Sequence, residues 1–125
     1  MTRLTKTLLP LCALLLLVVQ VPSPAQEPLP DNVAGNWIIS AHNANGTTDR
    51  KTISLRQNGN ILAGHFQGPH QSGSLNGTID VHHIVFRTNT HIPLTFRGRV
   101  DANTIDGTFS IQGKTGEFHA WRQRT

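Results

Sequence analysis

The fold is decided by residues 94–111, which have the sequence LTFRGRVDANTIDGTFSI. Apolar residues stand at every second position on both sides of Asp101-Ala102-Asn103, a group of residues typical of tight turns. Successive side chains of a β-strand point to opposite faces, so this alternation predicts two strands, Leu94–Val100 and Thr104–Ile111, each with one apolar face. Because the connection is short, the two strands are expected to pair antiparallel.

The same alternation continues along the chain and divides it into eight short strands. The clearest of the turns between them contains Asn58-Gly59, the dipeptide that two-residue type I′ hairpins favour. No stretch shows the 3.6-residue period of an amphipathic helix. The predicted strands are Asn36–His42, Lys51–Gln57, Ile61–Gln67, Ser74–Asp80, His82–Thr88, Leu94–Val100, Thr104–Ile111 and Glu117–Arg122.

A five-residue unit with glycine at its centre and an apolar residue at each end occurs four times, around Gly64, Gly77, Gly98 and Gly107. The period of two places each glycine on the apolar face. A glycine inside a strand costs packing and entropy, so its repetition needs a reason. Either the missing side chains let the sheet bend enough to close, or they leave space for a ligand, and curvature is the simpler interpretation.

Eight antiparallel strands in so short a chain predict an all-β fold, a single up-and-down barrel whose closure leaves no exposed edge. Burial of its inward face, at about 25 cal/mol per Å² of apolar area, is expected to drive folding. The predicted inward residues are Trp37, Ile39, Ile53, Leu55, Leu62, Phe66, Leu75, Ile79, Ile84, Phe86, Leu94, Phe96, Val100, Ile105, Phe109, Ile111, Phe118 and Ala120. The predicted outward residues are Thr52, Ser54, Arg56, Thr95, Arg97, Arg99 and Thr108.

The first 25 residues have the composition of a bacterial secretory signal peptide. Two basic residues precede the apolar run Leu8–Val21, and Ser23 and Ala25 are the small residues of a cleavage site. The run is shorter than the roughly 20 residues that span a bilayer, so we expect cleavage after Ala25, no membrane span in the mature protein, and a secreted or periplasmic location. The predicted organisation is a signal peptide (1–25), an extended lead-in (26–33) and a barrel domain (34–125).

Cleavage changes both the charge and the cysteine count. Nine of the eleven Lys and Arg residues remain after it, two more than the seven acidic residues, and they form no basic cluster of the kind that binds nucleic acid. The only cysteine, Cys12, lies in the signal peptide. The exported domain is therefore expected to fold without a disulfide, by core burial and strand pairing alone.

Gly35-Asn36-Trp37 on the first strand, the eight strands and Arg122 on the last strand resemble the calycins, the group of barrels that includes lipocalins and avidins. The resemblance covers about residues 33–122 and extends to small secreted bacterial barrels of unassigned function. It implies that Gly35, Trp37 and Arg122 close one end of the barrel, with the guanidinium stacked on the indole. The chain has no tyrosine for an avidin-like biotin site and is too short for the C-terminal helix of a lipocalin.

The residue types that carry chemistry do not form a recognisable centre. The seven histidines lack the His-x-His spacing that places two metal ligands on one strand face, and the carboxylates occur mostly at turns. Neither a serine or cysteine nucleophile motif nor a phosphate-binding loop is present. We therefore expect no catalytic residue, no metal and no cofactor.

These observations favour a non-enzymatic exported module that binds a small apolar or peptide ligand at the open end of the barrel. If the first strand runs away from the closed end, four loops build the open end, namely Asn43–Arg50, Gly68–Gly73, Asn89–Pro93 and Gln112–Gly116. The candidate residues lining the barrel interior are Phe66, Phe86, Phe96 and Phe109.

Two alternatives remain open. The first is a periplasmic protein-binding module similar to bacterial metalloprotease inhibitors, in which Gln26–Asn32 enters the protease cleft. The second is a barrel isomerase or cyclase. A large apolar cavity favours ligand binding, a barrel filled by side chains favours protein binding, and two ionisable groups converging inside the barrel favour the enzyme.

Overall fold

The computed structural model describes residues 28–124, which form eight β-strands closed into one barrel. Each strand pairs antiparallel with the next, and the last pairs with the first, which confirms the predicted up-and-down architecture. The described range contains no helix long and apolar enough to cross a membrane. The predicted signal peptide lies outside the described residues. The strands are β1 (Gly35–His42), β2 (Thr48–Asn58), β3 (Ile61–Gln67), β4 (Ser72–Asp80), β5 (His83–Asn89), β6 (Leu94–Asp101), β7 (Thr104–Ile111) and β8 (Lys114–Arg122).

All four predicted open-end loops are shorter in the structure, and the largest changes are at β2 and β8, which both begin three residues before their predicted starts. Gln112 and Gly113 have φ angles of 49° and 78°, so a two-residue left-handed turn joins β7 to β8. A hydrogen bond of 2.8 Å from the Asn43 amide to the Thr47 carbonyl closes the loop before β2. The strand pairing therefore continues up to both turns.

The inward-facing side chains form a single core. All the predicted inward residues are buried except Ile111, which is partly buried against the others, and none of the predicted outward residues is buried. At mid-height the ring of Phe96 has its centroid 4.7 Å from that of Phe86, 5.2 Å from that of Phe118 and 5.6 Å from that of Phe109. Aromatic side chains thus fill the middle of the barrel.

The glycines of the repeated unit lie where a neighbouring strand passes close to them. A Cβ atom on Gly64 would collide with the Ser54 carbonyl, and one on Gly107 would collide with the Arg97 carbonyl. At these positions the backbone of the neighbouring strand fills the space that a side chain would occupy. The glycines therefore allow tight curvature rather than leaving space for a ligand.

One end of the barrel, the floor, is closed by Trp37 and Arg122. The Arg122 Cζ atom lies 4.5 Å from the centre of the Trp37 ring. The guanidinium also donates to the carbonyls of Ala34 and Asn32, and the indole Nε1 donates to the Val33 carbonyl at 3.0 Å. Both side chains thereby hold residues 32–34 across the bottom of the barrel.

Gly35 makes this arrangement sterically feasible. Its φ angle of 129° lies in a region that L side chains rarely adopt, and a Cβ atom there would lie 3.2 Å from Arg122 Nη1. A larger residue at this position would strain the backbone and crowd the guanidinium.

The lead-in is attached to the floor from Asp31 onward. The Asp31 amide donates to the Val81 carbonyl at 2.9 Å, and Gln57 bonds to the Val33 amide and the Asp31 carbonyl. The His82 ring nitrogen lies 2.8 Å from the Asp31 carboxylate. Within the described residues of the lead-in, Asp31 and Asn32 are therefore bonded to the barrel.

Candidate functional site

The end opposite the floor, the mouth, carries the loops 43–47, 68–71 and 90–93 and the turn 112–113. Two adjoining cavities open there, with volumes of about 310 and 470 Å³. They share the side chains of Asn43, Phe109 and Ile111. The candidate site is therefore at the end that the direction of β1 predicts.

The smaller cavity, called the mouth cavity below, reaches the core. Phe66, Leu94 and Phe109, each no more than 2% exposed, line its inner part together with Ile92 and Ile111. Four of the eight residues that line the larger cavity are exposed, among them Asn45 and Lys114. Apolar surface for a ligand is therefore concentrated in the mouth cavity.

The structure separates the four candidate phenylalanines into two pairs. Phe66 and Phe109 line the mouth cavity. Phe86 and Phe96 line neither cavity at the mouth, because they pack against each other in the filled middle of the barrel. Only Phe66 and Phe109 can therefore contact a ligand that enters from the mouth.

The mouth cavity contains a charged pair, Asp49 and Lys51, that was not predicted from the sequence. Lys51 is only 7% exposed, and its Nζ lies 2.5 Å from Asp49 Oδ1. The other Asp49 oxygen accepts a hydrogen bond from Asn43 Nδ2 at 3.1 Å. A signal for this pair was present, since Asp49 and Lys51 continue the inward parity of Ile53, but we placed Asp49 in a loop and assigned no inward role to Lys51.

The loops of the mouth are held together by side-chain hydrogen bonds. Gln71 donates to the Ile92 carbonyl at 2.7 Å and accepts from the Ile92 amide at 2.9 Å, which joins loop 68–71 to loop 90–93. Thr88 Oγ1, fully buried, accepts from the Leu94 amide at 2.9 Å and contacts Thr90 Oγ1 at 2.7 Å. The rim is thus ordered without any contribution from a ligand.

We expect Gln71→Met to loosen this rim, because methionine has a similar length but cannot form either bond to the Ile92 backbone. The Ile92 amide should then exchange with solvent at least about tenfold faster, the equivalent of about 1.4 kcal/mol of lost protection. Hydrogen exchange followed by NMR measures this rate. Gln112→Met at the neighbouring turn is the control, and equal effects of the two variants would contradict the bridging role.

The histidines do not form a metal site in the described part of the chain. Among residues 28–124 no three His, Cys, Asp or Glu side chains are grouped so that they could hold a metal ion. His70 and His91 both line the mouth cavity, whereas His82 lies at the floor beside Asp31 and His119 lies 2.6 Å from Asp106 on the outer face.

No protein-family model matches the chain, and no curated protein matches it in sequence. Among solved structures it is similar to a redesigned β-barrel, with a TM-score of 0.67, 14% identity, and coverage of 74% of this chain and 92% of that one. It is also similar to a second redesigned β-barrel, bound to DFHBI, with a TM-score of 0.62, 12% identity, and coverage of 73% and 94%. A de novo designed fluorescence-activating β-barrel has a TM-score of 0.61, 14% identity, and coverage of 72% and 93%. The TM-scores show a shared fold, and at such low identities the similarity shows the fold alone.

Proposed function

We propose that this protein is an exported, non-enzymatic binding module that takes up a small, largely apolar ligand at the barrel mouth. The observation that carries the proposal is the mouth cavity, about 310 Å³ in volume and lined by side chains of the core. It opens at the end opposite a floor that Trp37 and Arg122 close. Export is supported by the signal-like sequence of residues 1–25.

A structural similarity and a sequence resemblance support this proposal. One of the designed barrels with the same fold is bound to DFHBI, so a barrel of this size can hold a small molecule. The Gly35-Asn36-Trp37 motif and Arg122 resemble the closed end of a calycin, a group whose members include small-molecule carriers. On the basis of that motif, we propose that the barrel is related to the calycins.

The charged pair bears on the alternative of a barrel isomerase or cyclase, because two ionisable groups do converge at the mouth. A general base needs an available lone pair within reach of the substrate proton. Each oxygen of Asp49 accepts a hydrogen bond, one from Lys51 and one from Asn43, so both oxygens are held by contacts within the protein. This arrangement favours a role in binding over one in proton transfer.

The proposal is tested with methyl 6-(dimethylamino)-2-naphthoate, an uncharged aromatic ester whose fluorescence depends on the polarity of its surroundings. We expect saturable binding with a Kd on the order of 10–100 μM, from the usual binding energy per ligand atom. Ile111→Trp fills the cavity from a partly buried position at its edge. It should weaken binding at least about tenfold, measured by fluorescence titration.

Ile61→Trp is the matched control, because Ile61 is 59% exposed and begins β3 at the floor end. This variant should bind the ester as the unsubstituted protein does. Absence of saturable binding to the unsubstituted protein, or binding that Ile111→Trp leaves unchanged, would contradict a ligand site in the mouth cavity.

A further inference from the structure

The mouth cavity contains a buried hydrogen-bond donor, the Lys51 ammonium group, that makes fewer hydrogen bonds within the protein than it can. The Lys51 side chain lines the cavity and is more than nine-tenths buried. Its ammonium group donates to Asp49 Oδ1, and no other group among residues 28–124 accepts a hydrogen bond from it. An ammonium group has three N–H donors, so two remain for an acceptor atom in the cavity.

Asp49 determines which acceptor suits this donor. Its carboxylate lies 2.5 Å from the ammonium, and the two together carry no net charge. The remaining titratable side chains that line the cavity are those of His70 and His91. An anionic ligand would lose its hydration and also bring a second negative charge close to Asp49. A carbonyl oxygen loses less hydration and still accepts a charge-assisted hydrogen bond.

We propose that the mouth cavity selects uncharged ligands that present a carbonyl or ester oxygen to Lys51, an inference that rests on the proposed function. The apolar body of the ligand packs on Phe66 and Phe109, and its oxygen accepts from the ammonium. Asp49 holds the Lys51 ammonium group in place, and its negative charge disfavours carboxylates. The pair is therefore a specificity determinant of the site.

The test compares the naphthoate ester with 6-(dimethylamino)-2-naphthoic acid, which has the same ring but an ionised carboxylate. The titrations are done at pH 8, which is above the pH range in which imidazoles usually become protonated. The unsubstituted protein should bind the ester at least about tenfold more tightly than the acid. Asp49→Asn should strengthen binding of the acid relative to the ester at least about tenfold, so that the preference for the ester is lost.

Two further variants make the test specific. Asp101→Asn makes the same charge change at the floor end and should alter neither affinity, which excludes an effect of net charge. The double variant Asp49→Asn/Lys51→Met has no charged group left in the pair, and its affinity for the ester should fall about tenfold because the donor is gone. Thermal melting of each variant shows that it is folded.

The outcomes separate this inference from the proposed function. If the ester binds in an Ile111-dependent manner but the acid binds the unsubstituted protein equally well, the inference is overturned and the binding site stands. The same holds if a folded Asp49→Asn variant leaves the preference unchanged. If neither compound binds the unsubstituted protein, the proposed function fails, and the inference fails with it. The comparison of ester and acid on the unsubstituted protein needs no variant to fold.

Discussion

Replacing Trp37 with alanine is expected to lower the free energy of unfolding by about 3–5 kcal/mol, a large share of the stability of a small domain. The indole is fully buried, its Nε1 donates to the Val33 carbonyl, and the Arg122 guanidinium lies on its face. Removing it leaves a cavity at the floor and deprives residues 32–34 of one of their attachments. Chemical denaturation followed by circular dichroism measures the loss.

The second tryptophan is a control within the same molecule. Trp121 precedes Arg122 on β8 but points outward and is only partly buried, with the Arg50 Cζ atom 5.3 Å from its ring centre. Trp121→Ala should cost less than about 1 kcal/mol, since an exposed cation–π contact contributes little. Equal losses for the two variants would refute the assignment of Trp37 to the closure of the floor.

Gly107→Ala is expected to cost about 3 kcal/mol or more, because its Cβ atom would collide with the Arg97 carbonyl and lie 2.6 Å from the Gly98 Cα atom. Both are backbone atoms, so no change of side-chain rotamer relieves the contact. The strands β6 and β7 would have to separate. Loss of the cooperative unfolding transition would be the extreme form of this result.

Gly113→Ala is the corresponding control. It lies in the turn before β8 at a φ of 78°, and a Cβ atom there would meet nothing within 4 Å. The substitution should cost only about 1–2 kcal/mol, the penalty of a left-handed conformation for an L residue. If Gly113→Ala proves as damaging as Gly107→Ala, close strand approach is not the reason for glycine in the repeated unit. Denaturation midpoints of both variants decide this point.

The barrel could be predicted from the sequence because its decisive signal is local. The alternation around Asp101-Ala102-Asn103 indicates both the strands and the face that each of them buries. The predicted inward set did not include Thr88 or Lys51, two polar residues that the alternation also places inward and that the structure buries. Thr88 bonds to the Leu94 amide and Thr90, and Lys51 pairs with Asp49 on the same strand, contacts that the apolar alternation does not indicate.

The candidate site was less predictable than the fold. Phe86 and Phe109 have the same inward parity, but only Phe109 lies high enough in the barrel to line the mouth cavity. The height of a residue along the barrel axis depends on strand register and tilt, which a period of two does not encode. The bridge from Gln71 to Ile92 joins two loops 21 positions apart, and no periodicity indicates such a contact.

The pairing of β1 with β8 has a consequence for how the chain assembles. Seven of the eight pairings join consecutive strands, whereas this one, together with the Arg122 contact to Asn32, joins residues as far as 90 positions apart. Because local contacts cost less loop-closure entropy, we expect the hairpins to form early and the long-range seam to form last. Until then two strand edges are unpaired, and the β8 of one molecule can add to the β1 of another. The time needed to close the seam therefore sets how long newly made protein is exposed to domain swapping and aggregation.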